Sequence, residues 1–326
     1  MSKIATVYGG SGFVGRYIVR RLANLGWRVR VAVRRPNEAM HVTPYGVVGQ
    51  IAPVLCNIRN DDSVRAALRG VDVVINCVGT FDAGGKNNFE AVQDEGAERV
   101  ARLAAEEGVA NMVQISAIGA DKDSVSIYAQ TKAQGEEAVL EHFPNAVILR
   151  PSVIFGPEDA FFNRFAGMAR MSPILPLVGA DTKFQPVYVD DVAAAAVAGA
   201  TGKAAPGIYE LGGPDVNTFR DLMKYMLEVI RRRRMIVNLP FFVARPMATL
   251  IWLGNFLTLG LAPMPITRDQ VASLQYNNVV SEGARGFDDL GIEPKSMEAI
   301  LPDYLWPFRS SGQYAAIKES ARNLRA

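Results

Sequence analysis

Lys3-Ile4-Ala5-Thr6-Val7-Tyr8 runs directly into Gly9-Gly10-Ser11-Gly12-Phe13-Val14-Gly15, and a helical pattern follows over residues 16–25. Three of these glycines are spaced so that one permits a tight turn, the next lets the backbone approach a pyrophosphate, and the third lets helix pack on strand. The start of the helix adds free N–H groups and the positive end of its dipole. We therefore expect a cradle for dinucleotide phosphates, the alternative being an ordinary glycine-rich turn.

Composition excludes several classes of protein. The 326 residues include 35 Lys plus Arg and 33 Asp plus Glu, a net charge of only +2 that argues against a general nucleic-acid binder. Cys56 and Cys77 lie in strand-like runs and form no disulfide or zinc pattern, so we expect inert buried thiols in a reducing compartment. His41 and His142 have no neighbouring nucleophile or ligand pair and are interpreted as surface or loop residues, which leaves no metal site.

The glycine stretch starts close to Met1 and leaves no room for a signal or transit peptide. This predicts a protein made where it works, as in a bacterial cytoplasm, unless a presequence has been removed.

Strand-like and helix-like runs alternate through the first half of the chain. This alternation predicts an α/β fold, a doubly wound parallel Rossmann sheet whose ligand crevice lies beyond the carboxyl ends of the strands. The run 71–79 is apolar and ends at Cys77-Val78-Gly79, as expected of a central strand buried on both faces that reaches this crevice. The other predicted strands are 3–8, 27–33, 52–56, 111–116 and 146–150, and the helices between them include 63–68, 89–107 and 126–142.

After Pro151 the alternation decays, with a loop-rich stretch at 172–176, and it returns as a helix at 189–200 and a strand at 207–212. We therefore predict a smaller C-terminal lobe interleaved with the Rossmann domain. The predicted boundaries are 1–155 and 186–213 for the Rossmann domain, 156–185 and 214–309 for the lobe, and 310–326 for a tail.

Arg34-Arg35 stand at the end of the predicted second strand, where a site for NAD carries an acidic residue on the ribose 2′-hydroxyl. A carboxylate there would repel a 2′-phosphate, whereas a guanidinium makes charge-assisted bonds to it. The pair therefore predicts NADPH as the cofactor. The alternative is two solvated arginines at a strand end.

Tyr128 and Lys132 are four positions apart on a predicted helix and share one face, and Ser116 ends the preceding strand. With the glycine motif, Tyr128-Ala129-Gln130-Thr131-Lys132 and Arg150-Pro151-Ser152-Val153-Ile154-Phe155-Gly156, the first two hundred or so residues resemble the extended or atypical branch of the short-chain dehydrogenase/reductase superfamily.

That resemblance implies roles for single residues. The tyrosine would be the acid/base, the lysine would lower its pKa and hold the nicotinamide ribose, and the serine would bind a substrate carbonyl. The cation is needed because a phenol with a pKa near 10 is a poor base at pH 7. Pro151 and Val153 would flank the nicotinamide, and Asn57 and Ile58 would touch the adenine. Two alternatives stay open for Tyr128 and Lys132: they only anchor the ribose, or they are residues of a helix face without function.

Downstream blocks are more specific. The chain up to about residue 300 is similar to the family of NADPH-binding accessory subunits of respiratory complex I, the NADH:ubiquinone oxidoreductase. The resemblance implies a tightly held cofactor without turnover, other complex I subunits as partners, and a place on the peripheral arm near the membrane. The blocks that carry it are Phe165–Arg170, Pro173–Leu177, Gln185–Val192, Pro265–Asp269 and Asp288–Ile292.

The stretch 246–267 has no charged residue. Pro263 and Pro265 limit a helix to 247–262, which gives ~24 Å of length at 1.5 Å per residue, short of the ~30 Å hydrocarbon core. Together with the basic run 231–234, the segment 231–262 is predicted to lie on a membrane surface or a partner. A core helix of the second lobe is the alternative.

Three hypotheses for function follow. The first is an NADPH-binding, non-catalytic accessory subunit of complex I, peripheral on the cytoplasmic face of a bacterial inner membrane or on the matrix side of a mitochondrion. The second is an active NADP-dependent reductase or epimerase acting on a quinone-pathway or isoprenoid intermediate, with Tyr128 as its acid/base. The third is a regulatory module that senses NADPH.

Overall fold

A computed structural model describes residues 3–80, 85, 88–243, 268–310, 312 and 314. The strands are β1 (Ile4–Tyr8), β2 (Arg28–Val33), β3 (Ile51–Leu55), β4 (Val73–Asn76), β5 (Asn111–Ile115), β6 (Val147–Pro151), β7 (Ile154–Phe155), β8 (Ile174–Val178), β9 (Lys183–Phe184), β10 (Val187–Tyr188), β11 (Gly207–Leu211), β12 (Asn217–Thr218) and β13 (Met235–Leu239). The helices are α1 (Phe13–Asn24), α2 (Asp61–Leu68), α3 (Glu95–Glu106), α4 (Ile127–His142), α5 (Phe162–Met171), α6 (Val189–Ala200), α7 (Phe219–Val229), α8 (Arg268–Ser273) and α9 (Met297–Tyr304).

The described residues form two compact units. Unit 1 takes its residues from Met1–Ser152, Val189–Gly212 and Val280–Pro294, and unit 2 from Val153–Tyr188, Gly213–Val279 and Lys295–Ala326.

Unit 1 is built on a seven-stranded sheet in the order β11-β6-β5-β4-β1-β2-β3. All of its neighbouring strands are parallel, which confirms the predicted doubly wound α/β fold. All four residues of β4 are buried, as an apolar central strand requires. The strand order turns in opposite directions from β1, toward β2 on one side and β4 on the other. The carboxyl ends of β1 and β4 therefore flank the crevice where such sheets bind ligands.

The two edge strands of this sheet, β3 and β11, are protected from pairing with another strand in different ways. On β3, Gln50 O accepts from Val29 N and Cys56 N donates to Val33 O, so by the two-residue period of a strand the even-numbered residues bond toward β2 and Pro53 does not. Pro53 therefore stands where its missing N–H would point outward, which blunts the edge against pairing with another strand. On the opposite edge, Glu210 of β11 donates its N–H to the Arg285 carbonyl oxygen, so a later segment covers β11.

Unit 2 has its own hydrophobic core, to which α5, α7 and α9 contribute buried side chains. Rings meet there edge to face or tilted, with centroids 5.3–5.6 Å apart for Phe165, Phe161 and Phe184 around Phe219. The expectation of loop at 172–176 was wrong at Ile174–Pro176, because β8 pairs in parallel with β13. The partner strand lies some sixty residues later, so the local sequence does not reveal this pairing.

Two arginines of the basic run 231–234 form hydrogen bonds inside unit 2. Arg231 has the left-handed backbone angle φ 55°, which ends the α7 region. Arg232 Nε donates to the Phe308 carbonyl oxygen at 2.7 Å, and Arg234 Nε donates to that of Ala169 at 2.7 Å. Two of the four guanidinium groups therefore hold unit 2 together.

Within the part of the chain that the structure describes, no helix is both long and apolar enough to cross a membrane. Of the segment 231–262 predicted to be interfacial, residues 244–262 lie outside the described residues, as do most of 310–326.

Candidate functional site

The glycine loop joins β1 to α1 by close backbone contacts. Gly9 has φ +73°, which favours glycine, and its N–H donates to the Ala32 carbonyl oxygen at 3.0 Å. A Cβ on Gly15 would overlap the Gly9 carbonyl oxygen and stand 2.7 Å from the Cα atom of Gly10. Gly12 N donates back to Gly9 O at 2.9 Å and closes the turn. The turn and helix-packing roles predicted for these glycines therefore have a direct steric basis.

The first turn of α1 presents its N–H groups for an anion. Gly12 is the N-cap, and in the described structure no side chain caps this end and no acidic residue occupies the first turn. The unused N–H groups and the helix dipole favour a negative ligand there. Arg16, in the same turn, is held with Nε 3.3 Å from Gly12 O and Nη2 3.4 Å from Ser11 O. Ser11, Phe13 and Val14 complete the loop, and the Phe13 ring is edge-on to Tyr17 at 6.4 Å.

The end of β4 lies against this loop. A Cβ on Gly9 would stand 3.3 Å from the Cys77 carbonyl oxygen and 3.3 Å from Val78 Cγ2. Cys77 N donates to Tyr8 O at 3.0 Å, and Val78 N donates to the Asn76 side chain at 3.1 Å. Gly79 is exposed beyond the strand. The carboxyl ends of β1 and β4 thus form one backbone-lined edge.

Tyr128, Lys132 and Ser116 meet the same edge through α4 and β5. Lys132 is 6% exposed, and its Nζ atom donates to the Ile115 carbonyl oxygen at 3.2 Å. That Nζ atom lies 5.9 Å from the centre of the Tyr128 ring, and Tyr128 is half-buried. A Cβ on Gly79 would stand 3.8 Å from the same Nζ atom. The structure therefore brings the lysine to the end of β4 and β5.

Ser116 follows Ile115 directly and is 4% exposed. Its hydroxyl oxygen has no hydrogen-bond partner among the residues that the structure describes. Buried hydroxyls are normally paired, so an unpaired one at a ligand-binding edge fits a group supplied by a ligand.

Burial changes two protonation equilibria at this edge. It lowers the pKa of the Lys132 ammonium to about 8, and the nearby Glu136 and Cys77 oppose that shift. Burial also raises the pKa of the Cys77 thiol to about 12, with a smaller opposite effect of Lys132. Cys77 is therefore a neutral thiol at neutral pH and no nucleophile, as expected from the sequence.

Arg34 and Arg35 follow β2 and are both exposed. Arg35 forms an ion pair with Glu38 at 2.9 Å, whereas the described residues offer Arg34 no ion pair. Arg34 therefore has no ionic partner among the described residues to give up for a phosphate, whereas Arg35 would exchange Glu38 for it.

The residues predicted to contact the adenine and the nicotinamide lie at different places in the fold. Asn57 is half-buried, and its Oδ1 atom accepts from Arg59 N at 3.2 Å, while Ile58 is buried at 7% exposure. Pro151 is buried at the end of β6 and its carbonyl oxygen accepts from Ile118 N at 3.0 Å, all within unit 1. Val153 belongs to unit 2, where its N–H donates to Asn278 Oδ1 at 3.0 Å.

Sequence reasoning missed a buried ion network behind α4. Arg150 Nε donates to both Glu136 carboxylate oxygens at 2.9 and 3.1 Å, and Arg150 Nη1 lies 3.6 Å from Glu210 Oε1. Glu210 in turn accepts from Ser281 N at 2.7 Å. The sequence places Glu136 one helical turn after Lys132, which indicates that the two side chains share a face of α4. It does not reveal the other members of the network, because Arg150 and Glu210 lie on the distant strands β6 and β11.

Together these residues make an edge suited to a dinucleotide. The glycine turn and the α1 N-terminus offer N–H groups to an anion, Arg34 offers a positive charge after β2, and Lys132 with Ser116 offers donors at the end of β5, on the other side of β1. Within the described residues no group of three or more His, Cys, Asp or Glu side chains is placed to hold a metal ion.

A family model described as NAD dependent epimerase/dehydratase family matches residues 5–212. This match spans most of unit 1 together with part of unit 2.

Two curated relatives match along nearly the whole chain. The mitochondrial NADH dehydrogenase (ubiquinone) 1 alpha subcomplex subunit 9 of Arabidopsis thaliana is 37% identical over 316 residues, 95% of this chain and 79% of that protein. The mitochondrial NADH-ubiquinone oxidoreductase 40 kDa subunit of Neurospora crassa is 33% identical over 312 residues, 95% of this chain and 80% of that protein. A "Ceramide reductase" of Caulobacter vibrioides is 30% identical over 239 residues, 73% of this chain and 74% of that protein.

Solved structures share the fold. The NADPH-dependent quinone oxidoreductase QOR2 of Escherichia coli, complexed with NADPH, has a TM-score of 0.70 at 18% identity and covers 92% of this chain and 98% of its own. A UDP-glucose 4-epimerase of Thermotoga maritima also has a TM-score of 0.70, at 17% identity, covering 93% of this chain and 97% of its own.

Proposed function

We propose, from the premise that this chain belongs to the NAD dependent epimerase/dehydratase family and within it to the relatives of alpha subcomplex subunit 9, that it is an NADPH-binding accessory subunit of a complex I-type NADH:quinone oxidoreductase. In this role the nucleotide is a structural ligand and the subunit itself performs no turnover.

The extent of the similarity carries the proposal. The family model ends at residue 212, whereas identity of 37% to the Arabidopsis thaliana subunit extends over 95% of the chain and so includes most of unit 2. Of the residues that the sequence assigns to the cofactor, only Val153 lies in unit 2. Its similarity to proteins named as subunits of one complex therefore supports a shared assembly role.

The cofactor is assigned to the edge described above. Gly9, Gly10, Ser11, Gly12, Phe13, Val14 and Gly15 hold the pyrophosphate, Arg34 and Arg35 hold the 2′-phosphate, and Tyr128 with Lys132 holds the nicotinamide ribose. When bound, such a nucleotide can supply or accept a hydride at its nicotinamide ring. A ligand that binds only the folded state also stabilises it, by ~4 kcal/mol at a thousand times its dissociation constant.

The proposed place of the subunit is the peripheral arm near the membrane. The exposed apolar side chains Phe242 (77% exposed) and Val243 (39%) end the described range 88–243, just before the uncharged stretch 246–267. We assign 231–262 to contact with partner subunits or the membrane surface. In a bacterium this would be the cytoplasmic face of the inner membrane.

Isolation from native membranes tests the assembly role. Affinity purification of the tagged protein under mild detergent, followed by mass spectrometry, should recover the core subunits of the NADH:quinone oxidoreductase together with bound NADPH. Recovery of the protein without those subunits would refute the proposal.

Two observations favour a second candidate, an active NADP-dependent reductase or epimerase. The Ser116 hydroxyl is buried without a partner in the described structure, and Tyr128 stands beside Lys132 as an acid/base with its cation would. The 30% identity to a protein named Ceramide reductase over 73% of the chain is compatible with this reading.

Tyr128→Phe separates the two candidates because it removes only the phenolic hydroxyl. A reductase should lose NADPH oxidation with its carbonyl substrate in this variant, by at least the ~100-fold typical of acid/base catalysis. An accessory subunit should retain full NADH:quinone activity of the isolated complex.

A further inference from the structure

Gln93 carries a second unused hydrogen-bonding atom in unit 1. It lies in a π-helical turn, Glu90–Asp94, directly before α3, and is 1% exposed. Its Nε2 atom donates to the Thr80 carbonyl oxygen at 2.6 Å. Because that carbonyl can only accept, the orientation of the amide is determined, and the Oε1 atom points elsewhere. Oε1 has no hydrogen-bond partner in the described part of the chain, which is costly for a buried acceptor.

The backbone of this π-helical turn lies along α4. A Cβ on Gly135 would overlap the Gln93 carbonyl oxygen, so the two backbones are in direct contact. One residue before the turn, the Phe89 ring is edge-on to Tyr128 with centroids 5.9 Å apart. Gln93 therefore belongs to the layer that faces the Tyr128 side of α4.

The side chain of Gln93 reaches the end of β4. Thr80, which it binds, follows Gly79, and Gly79 approaches the Lys132 Nζ atom. Lys132 itself binds the carbonyl oxygen of Ile115, and the next residue, Ser116, has the other unpaired polar atom. The side chain of Gln93 is thus tied to the residue after Gly79, and Ser116 is the residue after the one that Lys132 binds.

The sheet order indicates which half of a dinucleotide reaches this place. The pyrophosphate cradle is at β1, and Arg34 follows β2 on one side of it. β4 and β5 lie on the other side of β1. A ligand with its 2′-phosphate at Arg34 and its pyrophosphate at β1 must extend its nicotinamide riboside half toward β4 and β5. The nicotinamide riboside half carries hydroxyl and amide groups, which can donate a hydrogen bond to an acceptor such as Gln93 Oε1.

We propose that Gln93 is a further cofactor-binding residue, whose Oε1 atom accepts a hydrogen bond from a hydroxyl or amide donor of the nicotinamide riboside half. The same side chain fixes the backbone after β4 through its Nε2 atom. This assignment rests on the proposed function, because the ligand is the dinucleotide assigned there.

Calorimetric titration with two ligands tests it. NADPH contains the riboside half, whereas adenosine 2′,5′-bisphosphate contains only the adenosine half with its phosphates. Gln93→Met keeps the length of the side chain and removes both polar atoms. We expect this variant to bind NADPH about five- to tenfold more weakly, the effect of one lost hydrogen bond, and to bind the bisphosphate within about twofold of the wild type.

Gln50→Met is the matched control. Gln50 is a half-buried glutamine whose oxygen accepts from Val47 N at 2.9 Å and whose nitrogen donates to Ala23 O at 2.7 Å, just before β3 begins. It should change thermal stability and leave both affinities unaltered. If Gln93→Met does not fold, Gln93→Asn, which withdraws the amide by one methylene, should show the same selective weakening.

Equal weakening of both ligands would show a purely structural role and overturn the proposal, as would unchanged NADPH affinity. Either result leaves the cofactor assignment intact as long as the wild type binds NADPH. A wild type that binds no NADPH overturns both proposals.

Discussion

The ammonium nitrogen of Lys132 lies 5.9 Å from the centre of the Tyr128 ring. Tyr128 precedes Lys132 by one helical turn on α4. Both residues are placed by the helix, but only the lysine is buried, and its Nζ atom is fixed by a hydrogen bond to Ile115 O at 3.2 Å. A charge that is buried beside a phenol affects both the stability of the protein and any chemistry of that phenol.

The stability should therefore depend on pH through Lys132. Its pKa is about 8 in the folded protein against an ordinary value of 10.5. Between these values the unfolded chain holds the proton and the folded chain does not, so the free energy of unfolding contributed by this group rises with pH, by up to roughly 3 kcal/mol. Below about pH 8 both states are protonated and the cost of the buried charge is fully present.

Urea unfolding of the wild type and of Lys132→Met from pH 7 to pH 10 gives the free energy of unfolding of each protein. The difference between the two at each pH measures the contribution of Lys132. We expect the stability of the wild type relative to the variant to increase over that range. A constant difference would show that Lys132 is protonated in the folded protein throughout.

Gly15→Ala should disrupt the glycine loop. Its Cβ would overlap the Gly9 carbonyl oxygen, so α1 or the loop must shift, at a cost of roughly 1–3 kcal/mol in stability and with loss of NADPH binding. Gly167→Ala is the control within helix α5, where the nearest atom to the new Cβ is 4.0 Å away, on Phe308. That substitution should stabilise the helix by about 0.5–1 kcal/mol, and thermal unfolding with and without NADPH distinguishes the two.

Arg34 should determine the preference for a 2′-phosphate. Arg34→Asp is expected to weaken NADPH binding by roughly tenfold or more, and to change NADH binding little, because it replaces a charge-assisted donor by a repelling carboxylate. Arg28→Asp makes the same charge change at the other end of β2 and should leave the ratio of the two dissociation constants unchanged. Equal affinity of the wild type for NADPH and NADH would refute this assignment.

The buried pair of Glu136 and Arg150 should matter more for stability than an exposed pair of similar geometry. Glu136→Gln leaves Arg150 with weaker compensation inside unit 1, at a cost of about 3 kcal/mol. Glu106→Gln breaks the contact of Arg65 Nη2 with Glu106 at 2.6 Å, where both side chains are well exposed, and should barely alter the urea midpoint. If the two substitutions lowered the urea midpoint by similar amounts, burial would not be what makes the Glu136–Arg150 pair important for stability.

The local patterns in the sequence were sufficient for the parallel sheet of unit 1 and for its glycine turn. Residues 3–25 alone predict β1, the glycine turn and α1, because the period of the apolar residues and the spacing of the glycines are local properties. Tyr128 and Lys132 share a face for the same reason. The β8 and β13 pairing and the Arg232 contact with Phe308 were not predictable, since both join residues far apart in the chain and leave no periodic signal.

The sequence by itself determined the glycine cradle, the alternation that forms a parallel sheet, and the residue types at its carboxyl edge, because these depend on neighbours within a few positions. Only the tertiary structure decided which polar atoms are left without partners. Gln93 is an ordinary residue in the sequence, and it becomes a candidate, beside the predicted Ser116, because folding buries both residues at the ends of β4 and β5 and leaves one polar atom of each without a partner among the described residues. Burial and pairing depend on contacts between distant segments, which no local pattern encodes.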